Sequence, residues 1–203
     1  MNTATLEVAV TGATGAGKSS FINAVRELGE DDEGAAPTGE TETTAQPTRY
    51  THPRYPHVAF WDLPGIGGQV CPADDYTKKM SFDQYDFFII IGSKRFTEYD
   101  TLLVKDIQNR GKKFFFVRSQ VDTDIRAAER RTSFNRQQTL DTIRQDCVRN
   151  LQSETLPDPQ VFLISSHQLD EFDFDQLIDA LQEDLSEQKV SAPGRSPRVC
   201  ALL

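Results

Sequence analysis

Apolar runs of strand length recur along the chain, and helical periodicity fills most of the intervals between them. LEVAVTG (6–12) is a short strand closing on Gly, and HVAFWDLPG (57–65) is a second one closing on Asp-Leu-Pro-Gly. FFIIIG (87–92) and KFFFV (113–117) are almost continuously apolar, the pattern of central strands buried on both faces. VFLIS (161–165) completes the strong set, and TRYTH (48–52) is a weaker edge candidate. Helical segments are expected over SSFINAVREL after the first strand, over 100–110, over 134–152 and over 172–185. In the third of these Leu140, Ile143, Cys147, Val148 and Leu151 recur at helical spacing, and in the fourth Phe174, Leu177, Ile178, Leu181 and Leu185 do. Strands alternating with helices predict an α/β fold, with a mostly parallel six-stranded sheet and helices on both faces.

Two stretches break the pattern. Residues 29–47 (GEDDEGAAPTGETETTAQP) are rich in Gly, Pro, Thr and acid, and too long for an ordinary connection, so they read as mobile or functional. Residues 187–203 lose all periodicity and read as a flexible tail behind a globular domain spanning 1–186, its body starting near residue 4. A formal charge of −9 argues against broad nucleic-acid binding, which needs a basic surface. Three cysteines (Cys71, Cys147, Cys200) lack metal-ligand spacing and are odd in number, which favours a reducing, cytoplasmic compartment. No signal peptide or membrane-spanning run is expected, and Asn2 excludes N-myristoylation.

The strongest chemical signal is Gly12-Ala13-Thr14-Gly15-Ala16-Gly17-Lys18-Ser19, a complete G-x-x-x-x-G-K-[ST] between a strand and a helix. Gly12, Gly15 and Gly17 let backbone N–H groups wrap a β-phosphate at a helix N-terminus, and Ser20 continues that first turn. Lys18 would neutralise the β- and γ-phosphates, and the Ser19 hydroxyl would ligate Mg²⁺. Asp62-Leu63-Pro64-Gly65 follows one strong strand later, where Asp62 would hold Mg²⁺ through water and the Gly65 N–H would meet a γ-phosphate. A threonine between these motifs would complete the metal site, and composition leaves Thr43 and Thr44 equally open.

With these residues the chain resembles the immunity-related GTPases, the interferon-inducible family of cell-autonomous defence. The resemblance lies in GATGAGKSSFINAVREL (12–28), YTHPRYPHVAFWDLPGIGG (50–68), KKMSFDQYDFFIIIGSKRF (78–96) and GKKFFFVRSQVDTDI (111–125). IRQDCVRNL (143–151), PQVFLIS (159–165) and DFDQLIDALQEDL (173–185) continue it. Lys18 places it with the branch carrying Gly-Lys-Ser. The resemblance implies a Ras-like P-loop GTPase domain that binds GTP and GDP with Mg²⁺, and it selects Thr44 as the switch threonine. It also implies homo- or hetero-dimerisation through that domain. The family's flanking helices, which include a membrane-binding one, are not matched, because few residues precede the first strand and no long helical pattern is expected beyond Leu185.

The family reads guanine with Thr-Lys-x-Asp after the strand that here is KFFFV. Ser119 keeps the hydroxyl, Asp122 keeps the acceptor for guanine N1–H and N2–H₂, and Gln120 replaces the lysine that packs on the base and braces the phosphate loop. Adenine lacks that donor pair, so Asp122 disfavours ATP. Ser165 and Ser166 occupy the last base-contacting loop by position. Lys18, Thr44 and Gly65 would carry the chemistry. Ile66 stands where Ras-like enzymes carry a water-orienting Gln, so intrinsic hydrolysis is expected to be slow and to accelerate with self-association. The sequence closes on Cys200-Ala201-Leu202-Leu203, a C-a-a-X pattern of the geranylgeranyl type. One such chain on Cys200 would give reversible association with intracellular membranes. A second reading is a catalytically weak G domain that regulates related GTPases or autophagy-type partners. His52 and His57 flank a Pro-rich turn and are expected to be structural.

Overall fold

The computed structural model describes residues 5–39, 44–68, 75–153, 156 and 158–191. Six strands form one sheet: β1 (Leu6–Gly12), β2 (Thr48–Thr51), β3 (Val58–Asp62), β4 (Phe87–Ser93), β5 (Lys113–Ser119) and β6 (Val161–Leu163). Their order is β2-β3-β1-β4-β5-β6, with β2 antiparallel to β3 and all other pairs parallel. The helices are α1 (Lys18–Val25), α2 (Tyr76–Lys79), α3 (Glu98–Asn109), α4 (Val121–Ala128), α5 (Arg136–Ser153) and α6 (Phe174–Ser191). The mostly parallel six-stranded α/β architecture is as the sequence pattern predicts.

Alternation within the central strands explains the layering, because successive side chains of a strand point to opposite faces. Phe87, Ile89 and Ile91 of β4 join Val8 and Val10 of β1 in one core, closed by Phe21 and Ile22 of α1 and by Phe174, Leu177 and Leu181 of α6. Phe88 and Ile90 face the other way, toward Leu103, Val104 and Ile107 of α3, Ile125 of α4, and Cys147 and Leu151 of α5. Helices therefore cover both faces. The parallel order also sends the C-terminal ends of β1, β3, β4, β5 and β6 to one edge, where an open α/β sheet places its ligand crevice.

Three segments differ from expectation. Helix α4 starts at Val121, directly behind β5, where the sequence suggests a polar turn; Val121 and Ile125 bury one face of its two turns. Helix α6 runs to Ser191, past residue 186, because the residues after Leu185 include good helix formers although their apolar spacing has faded. Residues 29–39 are tied down where the composition suggested mobility. The Asn23 amide donates to the Ala36 carbonyl (2.9 Å) and accepts from the Ala36 N–H (2.6 Å). Arg26 donates from Nη1 to Gly34 O (2.9 Å) and from Nε to Thr51 O (3.1 Å). The acidic residues Glu30 to Glu33 remain exposed on this loop, as expected. Thr43, Cys71 and Cys200 lie outside the described residues. No helix among the described residues is long and apolar enough to cross a membrane.

Candidate functional site

The phosphate loop leaves β1 at Gly12 (φ +144°) and enters α1 at Gly17 (φ +89°), with Gly15 also at positive φ. Lys18 is 7% exposed, and its ammonium donates to the Ala13 carbonyl across the loop at 3.1 Å. The Gly65 turn lies against this loop so closely that a Cβ there would meet Thr14 Oγ1 at 2.3 Å and Thr14 Cα at 2.6 Å. Tyr76 fastens the same junction. Its hydroxyl donates to the Pro64 carbonyl at 2.6 Å and sits 2.9 Å from Thr11 Oγ1. No local sequence pattern marks that tyrosine.

Two of the predicted residues converge on the carboxylate of a third, Asp62. Ser19 Oγ donates to Asp62 Oδ2 at 2.6 Å, and Thr44 Oγ1 donates to the same oxygen at 3.1 Å. Asp62 is 1% exposed, and its other oxygen, Oδ1, is buried without a hydrogen-bond partner. Burial pushes the Asp62 carboxyl above its ordinary range, against the pull of Ser19, Lys18 and Thr44. A buried carboxylate oxygen without a donor calls for a cation or an ordered water. One carboxylate and two hydroxyls beside a phosphate cradle suit Mg²⁺, which takes few protein ligands and completes its shell with phosphates and water. No cluster of three or more His, Cys, Asp or Glu side chains competes for a metal among the described residues. If this carboxylate serves a cation, Asp62→Asn will remove an unfavourable buried charge. The nucleotide-free variant is then expected to gain about 1 kcal/mol, read as a melting temperature a few degrees higher, while losing any Mg²⁺ dependence of ligand binding.

The end of β5 and the start of α4 meet the phosphate loop from the other side. Ser119 Oγ donates to Ala16 O (2.6 Å) and is within 3.2 Å of Gly92 O. Gln120 takes the left-handed conformation (φ +58°), and its Nε2 donates to Gly15 O at 3.0 Å. The brace to the phosphate loop, which the family resemblance assigns to a lysine, is thus made by a neutral amide. Asp122, in the first turn of α4, is 6% exposed and paired with the Arg126 guanidinium one turn on. The signal for Arg126 in the sequence is the i,i+4 spacing of acid and base, legible only once a helix starts at Val121. Arg118, also unforeseen, is 4% exposed and links the Ser119 carbonyl to Asp124, which fixes the backbone entering the turn.

The remaining expected residues are less engaged. Ser165 is fully buried and accepts from the His167 N–H (3.2 Å), while Ser166 is half-buried beside it. The backbone links this loop to the turn between β5 and α4, Val121 N–H donating to Ile164 O at 3.2 Å. Ser20 lies half-buried in the first turn of α1. Ile66 is 1% exposed in the core and donates its N–H to Gly12 O (3.1 Å). His52 is structural, as expected, buried with Nε2 3.2 Å from Val25 O and Nδ1 accepting from the Arg54 N–H.

Known proteins share both the fold and the sequence. In solved structures the chain is similar to elongation factor SelB from Methanococcus maripaludis in complex with the GTP analogue GppNHp (TM-score 0.60, 14% identity, 91% of this chain and 34% of that one). It is also similar to an S. thermophilus NFeoB mutant bound to GMPPNP (TM-score 0.55, 15% identity, 86% and 60%). At those identities the likeness establishes the fold, that of Ras-like GTP-binding domains. Sequence likeness is much stronger. Interferon-gamma-inducible GTPase 10 of Mus musculus is 45% identical over 188 residues, covering 92% of this chain and 45% of that protein. Interferon-inducible GTPase 5 of Rattus norvegicus is 45% identical over 185 residues (90% and 40%), and immunity-related GTPase family M protein 1 of Mus musculus is 38% identical over 188 (93% and 45%). The chain thus spans less than half the length of these relatives. The interferon-inducible GTPase (IIGP) model matches residues 1–197, and the chain belongs to that family.

Proposed function

We propose that this chain is a guanine-nucleotide-binding domain that hydrolyses GTP slowly to GDP and phosphate. The observation that carries the reading is the convergence of Ser19, Thr44 and Asp62 at the mouth of the phosphate loop, with Ser119 and Gln120 fastening the base-reading turn to the same loop. Lys18 and the N–H groups of residues 13–19 would hold the phosphates. Ser19, Thr44 and Asp62 would hold Mg²⁺, which when bound supplies positive charge to the β- and γ-phosphate oxygens. Gly65 would offer its N–H to the γ-phosphate, which is why its turn must approach Thr14 without a Cβ. Asp122 would accept from guanine N1–H and N2–H₂, sharing its carboxylate with Arg126, while Ser165 and Ser166 line the neighbouring loop.

Slow turnover follows from Ile66. Its side chain is buried in the core, so the residue after Gly65 presents no polar group to an attacking water. The missing polarity would come from a second G domain, whether the same chain or a related GTPase. The interferon-inducible and immunity-related names of the relatives support a role in cell-autonomous defence, and we place the self-association at intracellular membranes, with a prenylated Cys200 giving reversible attachment. Phosphate release per molecule is expected to rise with protein concentration, and turnover that stays flat over a wide range removes the self-association step. The same buried Ile66 favours a second reading, a binding module that holds nucleotide and regulates related GTPases or autophagy partners. Guanine-selective binding with no phosphate release at any concentration would select it.

A further inference from the structure

Although the chain is acidic overall, Arg126, Arg130, Arg131 and Arg136 fall within eleven residues of one another. Arg126 and Arg136 flank Arg130-Arg131-Thr132-Ser133-Phe134, which lies in the connection from α4 to α5. We propose that Ser133 is a phosphoacceptor for a basophilic serine/threonine kinase. Such a kinase reads its substrate by charge pattern. Carboxylates in its groove take the forked guanidinium groups three and two residues before the acceptor, and an apolar pocket takes the residue after it. Arg130, Arg131 and Phe134 supply that pattern around Ser133. It is the one Ser or Thr among the described residues with Arg at both preceding positions.

The structure makes the segment available. Arg130, Arg131, Thr132 and Ser133 are all exposed and belong to no helix or strand. The turn is closed by Phe134 N–H to Arg131 O (3.1 Å) and Arg131 N–H to Ala128 O (3.0 Å); Phe134 is half-buried against the core, so presenting it to the pocket requires this turn to open locally, which disturbs no core strand. Thr97 provides an internal contrast. It follows Lys94 and Arg95 at the same offsets, but its hydroxyl is locked in a capping box with Asp100 and is followed by Glu98. In the reaction, Ser133 Oγ attacks the γ-phosphorus of ATP and a new O–P bond forms. The bond from the γ-phosphorus to the bridging oxygen breaks, ADP leaves, and the hydroxyl proton passes to the kinase's base.

The modification would have a local receiver. Asn135 caps α5, its Oδ1 accepting from Gln138 N–H at 2.9 Å, so a phosphate on Ser133 stands two residues before the cap of an 18-residue helix. Negative charge there is favoured by the helix dipole. Arg136, in the first turn, donates to Glu171 Oε2 (2.6 Å) and lies over the Phe172 ring (5.4 Å). A phosphate dianion competes with Glu171 for that guanidinium and loosens the segment that follows Ser165 and Ser166. The acceptor assignment is independent of nucleotide binding.

The test is incubation of the full folded chain with radiolabelled ATP and the catalytic subunit of cyclic-AMP-dependent protein kinase, followed by site mapping. The expected result is a single phosphate on Ser133, absent from Ser133→Ala, with kcat/KM for Arg131→Ala lower by about tenfold or more for loss of one charge-assisted contact. A synthetic peptide of residues 127–137 serves as a control for the folded turn. Failure of the folded chain to incorporate phosphate overturns the proposal whether or not the peptide is modified, and so does incorporation that maps to Thr97 or survives Ser133→Ala.

Discussion

Gly12→Ala is expected to cost about 3 kcal/mol or more and to lower the melting temperature by on the order of 10 °C, before any effect on ligand binding is measured. Two separate penalties act at this position. The backbone sits at φ +144°, a region closed to residues with a side chain. An added Cβ would also stand 2.1 Å from the Ile91 carbonyl oxygen and 3.0 Å from its carbon. Those atoms belong to the backbone of β4, paired with β1 in the middle of the sheet, so neither strand can move aside without losing register. Gly15→Ala is the informative comparison. It meets nothing within 4 Å and carries only the penalty of its φ of +76°, about 1–2 kcal/mol. Thermal unfolding followed by circular dichroism separates the two, and a wild-type melting temperature for Gly12→Ala would refute the packing argument.

Lys18→Ala is expected to weaken GDP binding by about a hundredfold or more while leaving the fold intact. Lys18 is almost wholly buried, and its ammonium lies beside the Ala13 carbonyl and lowers the charge cost of Asp62, so it sits where phosphate oxygens would be drawn. Its removal takes a charge out of a small site whose other donors are neutral amides. The chain should still fold, because the Lys18 contact to Ala13 lies within the loop, but with a melting temperature a few degrees lower, because buried Asp62 loses a compensating charge. Calorimetric titration with GDP, beside a melting curve, measures both halves; an unaltered affinity would exclude this loop as the phosphate site.

Much of this architecture can be read from residues 6–12, 87–92 and 113–117, because strands buried on both faces are almost wholly apolar, buried Thr11 being an exception. The phosphate loop is equally legible, since its glycines, Lys18 and Ser19 answer a single geometric demand. Asp62 and Ser19 could be anticipated as partners from motif order, whereas choosing Thr44 over Thr43 required the family resemblance. The start of α4 was obscured because Gln120 turns the chain through a left-handed conformation, which lets a helix follow a strand with no linker. Arg126 on Asp122, Arg118 on Asp124 and Tyr76 on Pro64 were invisible for a different reason. They depend on which side chains tertiary packing brings together, and a propensity scale holds no information about that. The tie between Asn23 and Ala36 belongs to the same class. A loop of Gly, Pro and acid reads as mobile until a buried amide on the neighbouring helix takes both of its backbone groups.

The central claim is that the turn of Ser119, Gln120 and Asp122 selects guanine at the edge of this sheet. Competitive titration of the full chain with fluorescent GDP against ADP and XDP, on wild type and Asp122→Asn, tests it directly. On the proposed reading the Asp122 carboxylate would accept from guanine N1–H and N2–H₂, so wild type should prefer GDP over ADP by about a hundredfold or more. In Asp122→Asn an amide N–H would face those donors, while the 2-oxo group of xanthine would accept from it, so preference should pass from GDP to XDP. Equal affinity of the wild type for GDP and ADP, or an Asp122→Asn variant that still prefers GDP, would contradict the account.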